Sequence, residues 1–277
     1  SRVFMPELGF KGLNAALRVG NKKKIKVWLK RVSRGKGEKS RRLTTTARGL
    51  AALGKKPKDE CLQLLVDFPC APLPAACGKI AEVKKLSAKK RFRRARNLFE
   101  CWGYEEALQE FEHFLSDKAY RSLHMDSHFY VAEILSRKLR NDRARAFEHY
   151  AHVHKHSKGR KAYSLYQMAR CKMNLELYEE AQELFRKYLN KYPDGEFVAR
   201  CRYYAGWLPY DHDELARAIP GFDAFLRKHR KGSLRSYVIW FRAWSLFRLG
   251  KLGPAIEGFK DLVPYGNNIV AGKAYYW

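Results

Sequence analysis

Six large aromatic residues, Phe92, Phe129, Tyr166, Tyr203, Trp240 and Trp277, fall each 37 residues after the last. A second series runs in step with it, Phe111, Phe147, Phe185, Phe222 and Phe259, at intervals of 36, 38, 37 and 37. Two registers held together over so long a stretch read as one supersecondary unit, copied and stacked so that each copy buries its apolar face against the next. A stack grows by addition, so the length of 277 residues does not count domains.

The stretch from Ala162 to Pro193 shows the unit most plainly. Tyr163, Tyr166, Ala169 and Met173 recur at helical spacing and give one apolar stripe. Leu177 to Ala181 makes a turn and opens a second helix whose first-turn acids, Glu179 and Glu180, suit the positive end of the helix dipole. Phe185, Tyr188 and Leu189 carry the second stripe, and Tyr192-Pro193-Asp194-Gly195 ends it, since proline cannot prolong a helix. The same plan returns at Gly103 to Ala107 with Phe111 and Phe114, and at Gly250 to Ala255 with Phe259 and Leu262. Around residues 207–226, Pro209 and Pro220 predict a kink or a shortened helix. No sustained period-2 alternation is present, so the fold class is all-α, a solenoid forming a right-handed superhelix of helical hairpins with a concave face.

Residues 88–277 hold the regular units, the last cut within a sixth copy, and residues 1–87 form a basic N-terminal region of degenerate hairpins. One such hairpin spans Gly12 to Val32, and another runs from Ala47 through Pro57 to Leu65. The Gly-, Lys- and Ser-rich stretch Ser33 to Ser40 links them. The chain starts at Ser1 without a methionine, which predicts a processed start, and it stops at Trp277 without a polar capping helix. The expectation is that the polypeptide continues, or that another chain covers this end.

The net charge of +28 is concentrated near the beginning. Residues 1–60 hold 18 Lys and Arg against 4 acids, and residues 78–96 hold 9 against 1. Such an end attracts polyanions, RNA or acidic cell-wall polymer, and Lys22, Lys23, Lys24, Lys89, Lys90, Arg91, Arg93 and Arg94 are the candidate contacts. No apolar run is long enough to span a membrane. Of the six cysteines, Cys70 and Cys77 lie across a proline-rich bend, close enough in sequence to bridge in an oxidising compartment. Cys101, Cys171 and Cys201 fall within helical patterns and read as buried free thiols.

The signature of Tyr178-Glu179-Glu180-Ala181 with Phe185, Tyr188 and the closing Tyr192-Pro193 resembles the tetratricopeptide repeat family, over residues 88–277. The segments Trp240 to Lys251 and Ala271 to Trp277 resemble, more narrowly, the non-catalytic helical domain of soluble lytic murein transglycosylases. That resemblance implies a bacterial periplasmic or envelope protein whose helical arc positions a peptidoglycan strand, with glycan cleavage in a separate domain.

Catalytic machinery is not recognisable in the chain. Asn268 to Tyr276 is similar to a motif of the transglycosylase catalytic domain, but it is in phase with the repeat, and no acid sits in the setting that glycoside cleavage needs. Enzymatic activity is therefore expected only if the polypeptide carries a further domain. His152 and His156 are spaced to share a helix face, yet they lack the acid of a zinc helix, so no metal or cofactor is expected. The in-register rings, Tyr203, Tyr204, Trp207, Trp240 and Trp244 among them, read mostly as core. The off-register Trp28, Trp102 and Tyr210 are the aromatic candidates for ligand contact. The leading function is thus peptidoglycan positioning. The alternatives are a scaffold that docks a protein partner in the concave face, and a basic repeat protein seated on RNA.

Overall fold

The computed structural model of the chain describes residues 86–137, 142–265 and 269–277, with isolated positions at 27, 62–63, 65–67, 69–70 and 83. The N-terminal hairpins expected before residue 62 lie outside them. Every regular element among the described residues is helical, and the chain divides into two compact units, Ser1–Ile134 and Leu135–Trp277.

In the first unit, α1 (Ala88–Glu100) and α2 (Tyr104–Ser116) form a hairpin, followed by a 3-10 turn at Lys118–Tyr120 and by α3 (Arg121–Leu135), whose last residue passes the unit boundary. Phe92 meets Phe111 and Phe114 edge-on, each at 5.4 Å between ring centres, and Tyr130 of α3 stacks on Phe111 at 4.8 Å. Helical residues before α1 lie against it. Leu65 and Val66 cluster with Leu86, and the Asn97 side-chain amide donates to the Val66 carbonyl at 2.8 Å. This packing corrects the cysteine assignment. Cys70 is bonded to Cys101 across 31 residues, so Cys101 is not a free thiol and Cys70 is not paired with Cys77. Cys101 is the residue that ends α1, and the tertiary seat of the preceding segment brings Cys70 to it. Cys171 and Cys201 are buried free thiols.

The second unit holds α4 (Arg143–His156), α5 (Lys161–Asn174), α6 (Tyr178–Lys191), α7 (Val198–Asp211), α8 (Leu215–Lys228), α9 (Arg235–Arg248), α10 (Leu252–Lys260) and α11 (Ile269–Tyr276), with a 3-10 turn at Val263–Tyr265. Helices α5–α6, α7–α8 and α9–α10 are hairpins, each packed on the next, and α4 packs on α5.

The repeat has a sharper internal code than its aromatic spacing. The second helix of each unit, or in the last copy that helix and the turn just after it, buries a small residue, then a ring four positions later, then a large apolar residue three beyond. These sets are Ala107, Phe111, Phe114; Ala146, Tyr150, Val153; Ala181, Phe185, Tyr188; Ala218, Phe222, Phe225; and Ala255, Phe259, Leu262. Tyr150 rather than Phe147 therefore holds the α4 register, and Phe147 is only half-buried, one turn earlier. Each buried ring contributes about 1.5–3 kcal/mol, so the series adds cohesion both within a hairpin and to the next copy. The first helices carry a small-residue register of their own, Ala95, Ala132, Ala169, Gly206 and Ala243, all buried. At two crossings a glycine of the second helix meets it. A Cβ on Gly221 would lie 2.6 Å from the Gly206 nitrogen, and one on Gly258 would lie 2.8 Å from the Ala243 Cβ.

The turns inside the hairpins repeat as well. Trp102, Glu176, Asp213 and Gly250 each have positive φ, at 67, 62, 62 and 72 degrees. The amide that follows each of them donates back across the end of the helix, from Gly103 to Leu98, Leu177 to Lys172, Glu214 to Pro209 and Lys251 to Leu246. This is the Schellman pattern, which satisfies carbonyls left open at a helix end. The prolines do not shorten their helices: α7 and α8 have 14 residues each, as do α5, α6 and α9. Pro209 lies in the last turn of α7. Pro220 and Ala216 are both exposed, so the acceptor that proline leaves open faces water.

Candidate functional site

Three first helices of the second unit show the same partly open row, at positions i, i+4, i+7 and i+11, which share one helix face. On α5 the row is Tyr163, Gln167, Arg170 and Asn174. On α7 it is Arg200, Tyr204, Trp207 and Asp211, and on α9 it is Tyr237, Phe241, Trp244 and Arg248. The repeat brings these rows into register, because each residue stands 37 positions from its neighbour on the next helix.

The three rows differ in chemistry. The α5 row is polar and tied to itself: Gln167 donates to the Tyr163 hydroxyl at 2.6 Å, Arg170 donates to Gln167 at 3.2 Å, and Asn174 donates to the Arg170 carbonyl at 2.6 Å. The α7 and α9 rows are aromatic. Tyr204 stacks on Phe185 at 4.9 Å and meets Trp207 edge-on at 6.1 Å, while Tyr203 runs nearly parallel to Trp207 and approaches Phe241 at 6.5 Å. Trp244 stacks on Trp240 at 5.7 Å and meets Trp277 of the chain end at 4.8 Å. Trp207, Phe241 and Trp244 are half-buried, and Tyr237 is 39% exposed, so each presents part of a ring to solvent. A chain of rings thus crosses α7 and α9 with apolar surface open along it.

Charge at the two ends of this face is arranged differently. Arg248 is paired with Asp213 at 2.7 Å, and Arg242 with Asp223 beside it. Arg170 and Arg200 have no carboxylate within ion-pair distance among the described residues. Both converge on Tyr166, which stacks on Phe197 at 4.3 Å. The Arg170 guanidinium lies 6.0 Å from the Tyr166 ring, that of Arg200 lies 5.8 Å from the Phe197 ring, and Arg200 also interacts with the Tyr166 hydroxyl. Burial pushes the Tyr166 phenol up to about 12, with Tyr204 adding to the shift and the two arginines opposing it. Burial likewise raises Tyr203 and Tyr210.

Trp28, Lys22, Lys23 and Lys24 lie outside the described residues. Trp102 is 68% exposed at the α1–α2 turn. Tyr210 is half-buried, 4.8 Å from Phe241 and 6.2 Å from Phe222, within the α7–α9 packing. Lys89 and Lys90 are exposed on α1, but the three arginines of that run are engaged. Arg91 pairs with Glu110, Arg93 with Asp67 at 2.8 Å, and Arg94, only 6% exposed, with Glu106 at 2.8 Å and Glu110 at 3.3 Å. His152 and His156 face each other at 4.7 Å, and His154 is bonded through Nδ1 to the Lys161 carbonyl. Among the described residues no three His, Cys, Asp or Glu side chains are grouped to hold a metal ion. No described helix is long and apolar enough to cross a membrane. The i, i+4, i+7 row was readable in the sequence, but it is masked there by the buried register running one position away.

Comparison with known proteins supports the fold. The family of the outer membrane lipoprotein YfiO matches residues 158–252, a third of the chain that contains all three rows. YrrB, a tetratricopeptide protein whose crystal structure shows an unusual peptide-binding site, superposes with a TM-score of 0.52 at 12% identity, over 69% of this chain and 93% of its own. The apo form of RapI aligns over 98% of this chain and 83% of its own at 13% identity, with a TM-score of 0.47, too low to bear on the argument. No curated protein matches the sequence. The chain is an all-α array of tetratricopeptide-like hairpins.

Proposed function

We propose that this chain is a protein-interaction scaffold of the cell envelope, which docks a polypeptide segment along the open rows of α5, α7 and α9. The observation that carries this reading is the in-register face of half-buried rings, Tyr204, Trp207, Phe241 and Trp244. Large rigid aromatics that keep part of their surface in water supply contact area at little entropic cost, and they dominate binding energy where they are clustered. YrrB, of similar fold, has a peptide-binding site.

The placement in the envelope draws support from the matching lipoprotein family. It also fits the Cys70–Cys101 disulfide, since such bonds persist in oxidising compartments. The narrower peptidoglycan reading leans on the same rings, because sugar faces also stack on tryptophan. The likeness to YrrB, with its peptide-binding site, supports the protein scaffold better than the glycan reading.

Panning a random peptide library on the full chain, beside retention on purified murein sacculi, tests the choice. Enriched peptides that lose binding at least tenfold to Trp207→Ala with Trp244→Ala support docking. Retention on sacculi with no peptide enrichment contradicts it.

A further inference from the structure

We infer that Arg170 and Arg200 form an anion subsite at one end of this face, which takes an Asp or Glu side chain of the docked segment while its apolar residues lie over Trp207, Phe241 and Trp244. This rests on the docking reading and adds to it the chemistry and direction of the ligand.

The rows carry three cations, Arg170, Arg200 and Arg248, and several cations elsewhere in the second unit are also answered by an acid. Arg242 is paired with Asp223, Arg248 with Asp213, Arg217 with Glu214 and Lys172 with Glu180. Arg170 and Arg200 are the exceptions on the rows themselves. Arg170 is half-buried, and its Nε is shielded from solvent with no hydrogen-bond acceptor. The side chain is also held in place, because Gln167 accepts from its terminal nitrogen and the Tyr166 ring lies beneath it. Arg200 approaches the same Tyr166–Phe197 stack from α7. Two guanidinium groups fixed on one aromatic base present planar donor forks, the geometry that carboxylates accept.

Direction follows from the rows. In the 37-residue register Arg170 on α5 is level with Trp207 on α7 and Trp244 on α9. A segment laid across the hairpins therefore carries its acid on the α5 side of its large apolar residues.

The test uses peptides selected on the full chain and compared between the wild type and Arg170→Gln with Arg200→Gln. An acid enriched to one side of the large apolar residues is expected in the wild-type pool and not in the variant pool. Binding of a selected peptide should weaken at least tenfold in the double variant, while its Glu→Gln counterpart binds both proteins alike. Apolar enrichment without an acid, or an acidic preference that survives in the variant, overturns the subsite and leaves docking intact. Absence of any enrichment on the wild type overturns both. Continued binding of the uncharged peptide shows that the variant is folded.

Discussion

Gly221 of α8 crosses Gly206 of α7 with the two backbones in direct contact: a Cβ added to Gly221 would stand 2.6 Å from the Gly206 nitrogen and 2.7 Å from the Ala205 carbonyl oxygen. Neither atom belongs to a flexible side chain, so the crossing cannot give way locally. Alanine normally stabilises a helix interior by up to about 1 kcal/mol relative to glycine, but here overpacking outweighs that gain. Gly221→Ala is expected to destabilise the second unit by about 1–3 kcal/mol. Gly253→Ala, where nothing lies within 4 Å, is expected to be neutral or mildly stabilising. Urea unfolding of the two variants checks the opposite signs.

Glu176 holds the positive φ of 62 degrees that Gly250 supplies at the equivalent turn. A side chain in that conformation costs about 1 kcal/mol, which glycine avoids. Glu176→Gly should therefore raise stability by about 0.5–1 kcal/mol, and Gly250→Ala should lower it by a similar amount, both read from thermal midpoints.

The Cys70–Cys101 bond closes a loop across 31 residues and fastens the segment carrying Leu65 and Val66 onto α1. Loops of this length are worth about 3–4 kcal/mol to the state they constrain. Cys70→Ser with Cys101→Ser should speed hydrogen exchange at the amides of residues 65–67 and of α1. Exchange in α7 to α9, within the other unit, should be unchanged.

Alkaline pH should weaken the second unit. Burial raises the Cys201 thiol from 9.0 to about 12 and the Tyr166 phenol from 10.0 to about 12. Above the ordinary values the unfolded chain has lost these protons while the folded chain keeps them, so unfolding releases protons and stability falls with pH. The contribution is complete below pH 9 and is lost as pH rises towards 12. Cys201→Ala should flatten the decline in thermal midpoint across that window, a comparison that cancels the shared effect of lysine neutralisation.

Much of the hairpin array was legible, because the buried rings repeat and nothing competes with helical periodicity. The α4 register was not. Phe147 and Tyr150 are one turn apart and both aromatic, so spacing alone chose wrongly, and only Ala146 four residues before Tyr150 marks the crossing. The partner of Cys70 was hidden because tertiary packing, not chain proximity, brings Cys101 to it. Pro220 looked disruptive because the sequence does not say that its carbonyl partner faces water. The candidate site was not legible: Trp207 and Trp244 read as core from their register, and their partial exposure depends on which face of α7 and α9 the second helices cover, which the fold decides.

Site-specific photo-crosslinking probes the docking face most directly. A benzophenone side chain at Tyr237, exposed on the α9 row, is compared with one at Arg227, exposed on α8 away from the rows. Polypeptide adducts are expected from position 237, absent from position 227 and lost when Trp207 and Trp244 are replaced by alanine. Equal adducts from both positions, or adducts indifferent to those tryptophans, would contradict docking at this face.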